Sequence, residues 1–174
     1  MPVRPILRWP DPLLSAPAAA VGTPDAEIHA LAADLLETMR AAPGVGITGP
    51  HVGALRRIVV LELPRNEAGD AAPAVYCDPR VTWASDETAR FTEGSVSMPG
   101  ITDEVERPAR VRVAYIGLDG AAHEEQADGF RAACLQHEID QLDGIFWLRR
   151  LTRVRRERAI KRWEKARRET GRSG

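Results

Sequence analysis

Residues 130–144, FRAACLQHEIDQLDG, place an imidazole, a carboxylate and an amide at helical spacing inside an otherwise apolar segment. Phe130, Ala133, Cys134, Leu135, Ile139 and Leu142 bury much of such a helix, and Asp143-Gly144 supplies the glycine stop expected at its C-terminus. At 3.6 residues per turn, side chains four apart share a face. His137 and Gln141 therefore point the same way, with Glu138 about 100° round the helix. This is one residue short of the pattern H-E-x-x-H, in which two imidazoles hold a metal and the Glu is general base to a bound water. Gln141 stands where the second imidazole would be. An interior histidine is more often a hydrogen-bonded core residue than a ligand, so the helix alone leaves both readings open.

The chain has 174 residues and 44% hydrophobic content, enough for one domain with a real core and too short for two. We expect the body over residues 1–148 and a basic helix over residues 149–174 that belongs to the same domain. Cys77 and Cys134 form no Cys-x-x-Cys or Cys/His cluster, which fits a reducing compartment. Arg8, Asp11 and the early prolines break any apolar run that could serve as a signal segment, and no run approaches the roughly 18 apolar residues of a membrane span. The expected location is cytoplasmic, with no membrane partner. Net charge is −1, yet residues 149–172 hold twelve of the 24 Lys and Arg against three of the 25 acids. That leaves the tail at about +9 and the body at about −10, an asymmetry that can mark a polyanion-binding tail.

Along the chain, Thr23-Pro24 reads as an N-cap and first helical position, and Ile28, Leu31, Leu35 and Met39 recur at helical spacing, predicting a helix over 24–41. Residues 43–53, PGVGITGPHVG, carry too much Gly and Pro for a regular element and read as backbone passing close to something. Their Gly-x-Gly is weak evidence for a nucleotide, because a helix rather than a strand precedes it. Residues 57–63, RIVVLEL, predict a buried strand, and 64–73 an exposed loop. Short strands are expected at 74–77, 81–84 and 89–92, then a tight loop at 93–100, EGSVSMPG. Residues 109–116 alternate Arg110 and Arg112 with Val111, Val113 and Tyr115, a half-exposed strand that 122–127 pairs back upon after a turn. The tail, 148–169, predicts a helix with Leu148, Leu151, Ala159, Trp163 and Ala166 on one stripe. It reads either as a docked amphipathic helix with a solvated basic face or as an RNA contact through phosphates, on the ribosome or elsewhere. His29 and His123 sit in surface-like surroundings.

Three segments in this order, a Gly-x-Gly loop, a Glu-Gly-x-x-Ser loop and a His-Glu helix, resemble the signature motifs of the peptide deformylase family. The resemblance runs from the opening Pro-Ile-Leu-x-x-Pro-Asp-Pro through Gln-His-Glu-x-Asp to the helical C-terminus. It implies an α+β, peptide deformylase-like fold: antiparallel sheets around a central motif-bearing helix, plus N-terminal and C-terminal helices. It also implies an amidohydrolase that removes formyl from the N-terminal methionine of new chains. In that family one Cys and two His hold a divalent metal, commonly iron.

The departures fall on the chemistry. Ser95 stands at the family's cysteine ligand, Gln141 at its second histidine ligand, and His51 at a glutamine beside the metal; His137 and Glu138 match the first ligand and the general base. A set of Ser95, His137 and Gln141 is neutral and lacks the soft, anionic thiolate. Three readings stay open. In the first, the histidine and glutamine have exchanged places, so His51 and His137, completed by Ser95, Gln141 or water, make a rearranged, weaker site for zinc, iron or another divalent ion. In any amide hydrolysis here Glu138 is general base, and His51 and the Val96 N–H together hold the oxyanion; with His51 as a metal ligand instead, one of those donors is lost. In the second, the protein holds no metal and binds an N-terminal peptide or small acylated ligand in a pocket lined by Gly44, Val45, Gly46, Glu93 and Gly94. In the third, Ser95 is the nucleophile of a metal-free hydrolase with His51 or His137 as base. Asp140 is expected to support the ligands rather than be one. Glu93 is expected to fix its loop, for example by pairing with Arg131, and Cys134 to be a buried structural thiol.

Overall fold

The computed structural model describes residues 2–64 and 71–172. The described elements are, in chain order, α1 (Ala26–Ala41), β1 (Gly46–Thr48), β2 (Ile58–Pro64), β3 (Ala71–Ala84), β4 (Thr88–Glu93), β5 (Asp103–Pro108), β6 (Arg110–Ile116), β7 (Ala122–Asp128), α2 (Gly129–Leu142) and α3 (Arg153–Arg172), with short 3-10 turns at Pro12–Ser15, Gly49–Val52 and Trp147–Arg150. Every strand pairing is antiparallel, in a five-stranded sheet of order β1-β2-β3-β6-β7 and a two-stranded sheet of β4 and β5.

Strand β2 shows why its sequence is apolar without a break. Successive strand side chains point to opposite faces. Val59 and Leu61 pack with Leu135, Ile139 and Leu142 of α2, while Ile58 and Val60 pack with Leu31, Leu35 and Met39 of α1. The strand is covered on both sides, and each such side chain contributes about 1.5–3 kcal/mol on burial. A third cluster joins Leu14 and Met98 to Trp147, Ala159 and Trp163, and so fastens α3 to the body. The central helix ends as its sequence requires: Gly144 has φ +76°, and a Cβ there would stand 2.6 Å from the Ser15 carbonyl oxygen.

Several expectations are corrected. Helix α1 is capped by Asp25, whose side chain accepts the Ile28 N–H, and not by Thr23; an N-cap oxygen must reach the N–H two or three residues on, and Asp25 does so. The Gly/Pro-rich loop is not free of regular structure, because Gly46–Thr48 pair with Val59–Leu61 as a short edge strand and a 3-10 turn follows. The strands expected at 74–77 and 81–84 are one strand, β3, bent by register shifts around Asp78, which has φ +50°. Strand β5 was not anticipated. Phe130, expected in the core, is 44% exposed. The tail is not one helix from residue 148: a 3-10 turn ends at Arg150, and α3 starts at Arg153. The loop expected over 64–73 lies partly outside the described residues, and Ala71–Pro73 already belong to β3.

Candidate functional site

A cavity of about 420 Å³ opens between the segment Ala42–Gly46, the turn after β4 and the face of α2 that carries Ala133, Cys134, His137 and Glu138, with His51 in its wall. Val45 and Phe130 stand half exposed at it. The opening segment of the chain ties its walls together. The Leu7 N–H donates to the His51 carbonyl at 2.8 Å and the Trp9 N–H to the Ser97 carbonyl at 3.0 Å. Trp163 of α3 in turn donates its Nε1–H to the Trp9 carbonyl at 3.0 Å.

His137 donates from Nδ1 to Glu93 Oε1 at 2.8 Å, which leaves Nε2 turned toward Glu138 Oε1, 4.0 Å away. Burial, the largest single influence, would lower the His137 pKa, but the bond to Glu93 together with the Glu138 and Glu93 charges outweighs it and the net shift is upward. Glu93 is gripped by Arg107 through Nε at 2.6 Å and Nη2 at 2.9 Å. Arg107 also donates from Nη1 to Asp140 at 2.8 Å, and Asp140 receives both Nε and Nη2 of Arg150. Burial would raise the Glu93 carboxyl, yet Arg107 and His137 hold it down at about 2. Glu93 and Asp140 thus share Arg107, and the arginine paired with Glu93 is Arg107 rather than the expected Arg131. Arg131 is engaged by Glu125 and the Tyr76 hydroxyl instead.

Glu138 is 5% exposed, and burial, partly offset by His137, raises its pKa to about 7. Its Oε2 is buried without a hydrogen-bond partner. Gly46 is what lets this carboxyl stand where it does, since a Cβ on it would lie 2.8 Å from Glu138 Oε1 and 2.7 Å from Leu61 Cδ2. In the cavity wall, His51 Nδ1 accepts the Thr48 N–H at 2.9 Å, and its Nε2 lies 3.5 Å from Ser95 Oγ. Ser95 Oγ itself accepts the Ser97 N–H at 3.1 Å. Gly44, Val45, Glu93, Gly94 and Val96 all line the cavity. Cys134 lines it too rather than being wholly enclosed, and burial followed by the Glu138 charge pushes its thiol up to about 12. Gln141 is absent from the lining: its side-chain amide donates to the Leu14 carbonyl at 2.7 Å.

Residues 3–157 match a family model described as polypeptide deformylase. The chain belongs to the polypeptide deformylase family. It is 57% identical over 168 residues to a peptide deformylase-like protein of Brucella melitensis, which covers 97% of this chain and 100% of that one. Among solved structures it is similar to the peptide deformylase of Ehrlichia chaffeensis, with 33% identity, a TM-score of 0.90, and coverage of 97% and 99% of the two chains. The same enzyme in complex with actinonin matches at 35% identity and a TM-score of 0.88, over 95% and 98% of the chains.

Deformylases depend on a divalent metal, so the donor set bears directly on the family chemistry. A neutral imidazole has one N–H. Because His51 Nδ1 accepts a backbone N–H, its hydrogen sits on Nε2, and that nitrogen has no lone pair to offer the cavity. Ser95 is a neutral hydroxyl and Gln141 is committed to Leu14. What remains is His137 Nε2, the Glu138 carboxyl and the Cys134 thiol, whose proton burial makes hard to remove. Among the described residues no group of three His, Cys, Asp or Glu side chains is placed to hold a metal ion. As arranged, this donor set does not fit one. The serine reading also lacks its base: His51 already carries a proton on the nitrogen nearer Ser95, and no described hydrogen bond joins Ser95 to His137. Arg107, Arg150 and Thr48, which orient the site, were not singled out from the sequence.

Proposed function

We propose that this deformylase-family pocket binds the acylated N-terminus of a peptide, or another small acylated ligand, and that ordinary metal-dependent removal of formyl is not its activity. The observation that carries this is the placement of Gln141, turned out of the cavity onto the Leu14 carbonyl at the position where the family has a metal-ligating histidine. A retained cavity without its metal ligands supports binding rather than hydrolysis. That the Ehrlichia chaffeensis enzyme forms a complex with actinonin supports a small ligand for this chain as well. The test pairs calorimetric binding of formyl-Met peptides with a turnover assay in the presence of added iron, zinc, nickel or cobalt. Binding without turnover is expected, and Glu138-dependent turnover would overturn the proposal.

A second reading, amide hydrolysis at a weakened site, is favoured by Glu138, buried with a free Oε2 and a pKa of about 7, as suits a general base. In it Glu138 takes the proton of an attacking water and passes it to the leaving amine, while His51 Nε2–H and the Val96 N–H hold the oxyanion. A zinc or iron site built on His51 and His137 would further require His51 to leave Thr48. No described helix is long and apolar enough to cross a membrane; with both cysteines unpaired, this supports a cytoplasmic location. Helix α3 is docked through Ala159 and Trp163, and the exposed Arg158, Lys161, Lys165 and Arg168 support an RNA contact, on the ribosome or elsewhere. Binding that weakens steeply with salt and with charge reversal at these four positions would bear this out.

A further inference from the structure

His51 departs from the family pattern in a way that the geometry around it explains. Thr48 and His51 are both buried and face each other across a 3-10 turn. The Thr48 N–H donates to His51 Nδ1 at 2.9 Å, and Thr48 Oγ1 lies 2.9 Å from the same nitrogen. A backbone N–H is only ever a donor, so Nδ1 is the acceptor and the ring hydrogen is fixed on Nε2. That N–H faces the cavity with only a long contact to Ser95 Oγ, 3.5 Å away. Burial keeps the ring neutral by pulling its pKa down to about 3. For His51 to bind a metal through Nε2 it would have to move its hydrogen to Nδ1, leaving the buried Thr48 N–H without an acceptor. Glu138 lines the same cavity, and its carboxyl has an Oε2 that is buried without a hydrogen-bond partner among the described residues.

We propose that Thr48 locks His51 as a hydrogen-bond donor into the cavity, so that the pocket seats the carbonyl oxygen of its acylated ligand on an imidazole N–H, and the ligand's amide N–H on Glu138, with no metal ion. This rests on the binding reading above and deepens it. A neutral secondary amide matches the pair: one acceptor for His51, one donor for Glu138. A tertiary amide leaves the Glu138 carboxyl unmatched.

Two measurements on the full chain decide it. In the first, nitrogen-15 NMR of histidine-labelled protein reports the tautomer of each ring. The chain has four histidines, and His51→Gln assigns the His51 signals by their loss. The expected result is an Nε2–H tautomer for His51 that excess zinc leaves unchanged. In the second, calorimetry with formyl-Met-Ala-Ser in EDTA is expected to show the same affinity as with zinc. Binding should weaken about tenfold in His51→Ala, recover in His51→Gln, which restores an N–H donor, and weaken about tenfold for the N-methyl-N-formyl analogue. An Nδ1–H tautomer, a ring signal displaced by zinc, or binding that needs zinc overturns the proposal. A zinc-insensitive Nε2–H ring with no peptide bound in either buffer supports the locked donor and counts instead against the acylated ligand.

Discussion

The bond from His137 Nδ1 to Glu93 Oε1, 2.8 Å long, decides which imidazole nitrogen faces the cavity. Glu93 can serve because Arg107 neutralises it, and Arg107 is shared with Asp140, which Arg150 holds from the protein surface. One ionic chain therefore runs from the cavity wall to the exterior.

The pH dependence of stability follows from that chain. Glu93 has an ordinary carboxyl pKa of 4.5 and is held at about 2 in the fold by Arg107 and His137 against the effect of burial. A depressed carboxyl contributes stability that is fully present above 4.5 and is lost as pH falls through the folded value. Between pH 4.5 and 2 we expect a loss of about 3 kcal/mol attributable to this group. Urea titrations across that range measure it, and in Glu93→Gln the acid limb should flatten.

Removing the centre of the chain should cost more than removing its end. Arg107→Met leaves the Glu93 and Asp140 carboxylates buried beside an apolar side chain, with an expected destabilisation of about 3–5 kcal/mol. Arg150→Met, whose side chain is 45% exposed, should cost about 1 kcal/mol or less. Equal losses in the two variants would contradict this ordering.

Gly46 is a steric rather than a chemical requirement. Gly46→Ala drives a methyl into Leu61 and Glu138, so the fold should lose about 1–3 kcal/mol. Ligand binding should weaken as Glu138 is displaced. Retained affinity with full stability, measured by calorimetry and thermal melts, would show that the wall yields freely.

The parts legible in the sequence are those where local pattern and tertiary demand agree. RIVVLEL reads as a buried strand because α1 and α2 cover both its faces, and the helix that carries His137 and Glu138 to the cavity is plain from its spacing. Arg107 was invisible for the opposite reason. In β5 it shares an inward face with Val105, and a charged residue in a strand reads as outward until its partners, Glu93 and Asp140, are known. Gln141 stands on the expected turn of helix, but its rotamer is set by the Leu14 carbonyl, 127 residues away in sequence. The exchange of histidine and glutamine between positions 51 and 141 suggested two imidazoles around one centre. The backbone donor at Thr48, which a sequence does not display, commits one of them elsewhere.

Restoring the family residues should restore the family chemistry. The triple variant Ser95→Cys, His51→Gln, Gln141→His supplies a thiolate, two imidazoles counting His137, and an amide on a scaffold that matches a deformylase at a TM-score of 0.90. We expect it to retain a divalent metal and to release formate from formyl-Met peptides, with no such gain in any single variant.

The most direct measurement is metal content by mass spectrometry, on protein purified without chelators and dialysed against metal-free buffer. A pocket whose His51 is a fixed donor and whose Gln141 faces Leu14 should hold well under one equivalent of any divalent ion. One tightly held equivalent of iron or zinc, lost in His51→Ala, would contradict the account.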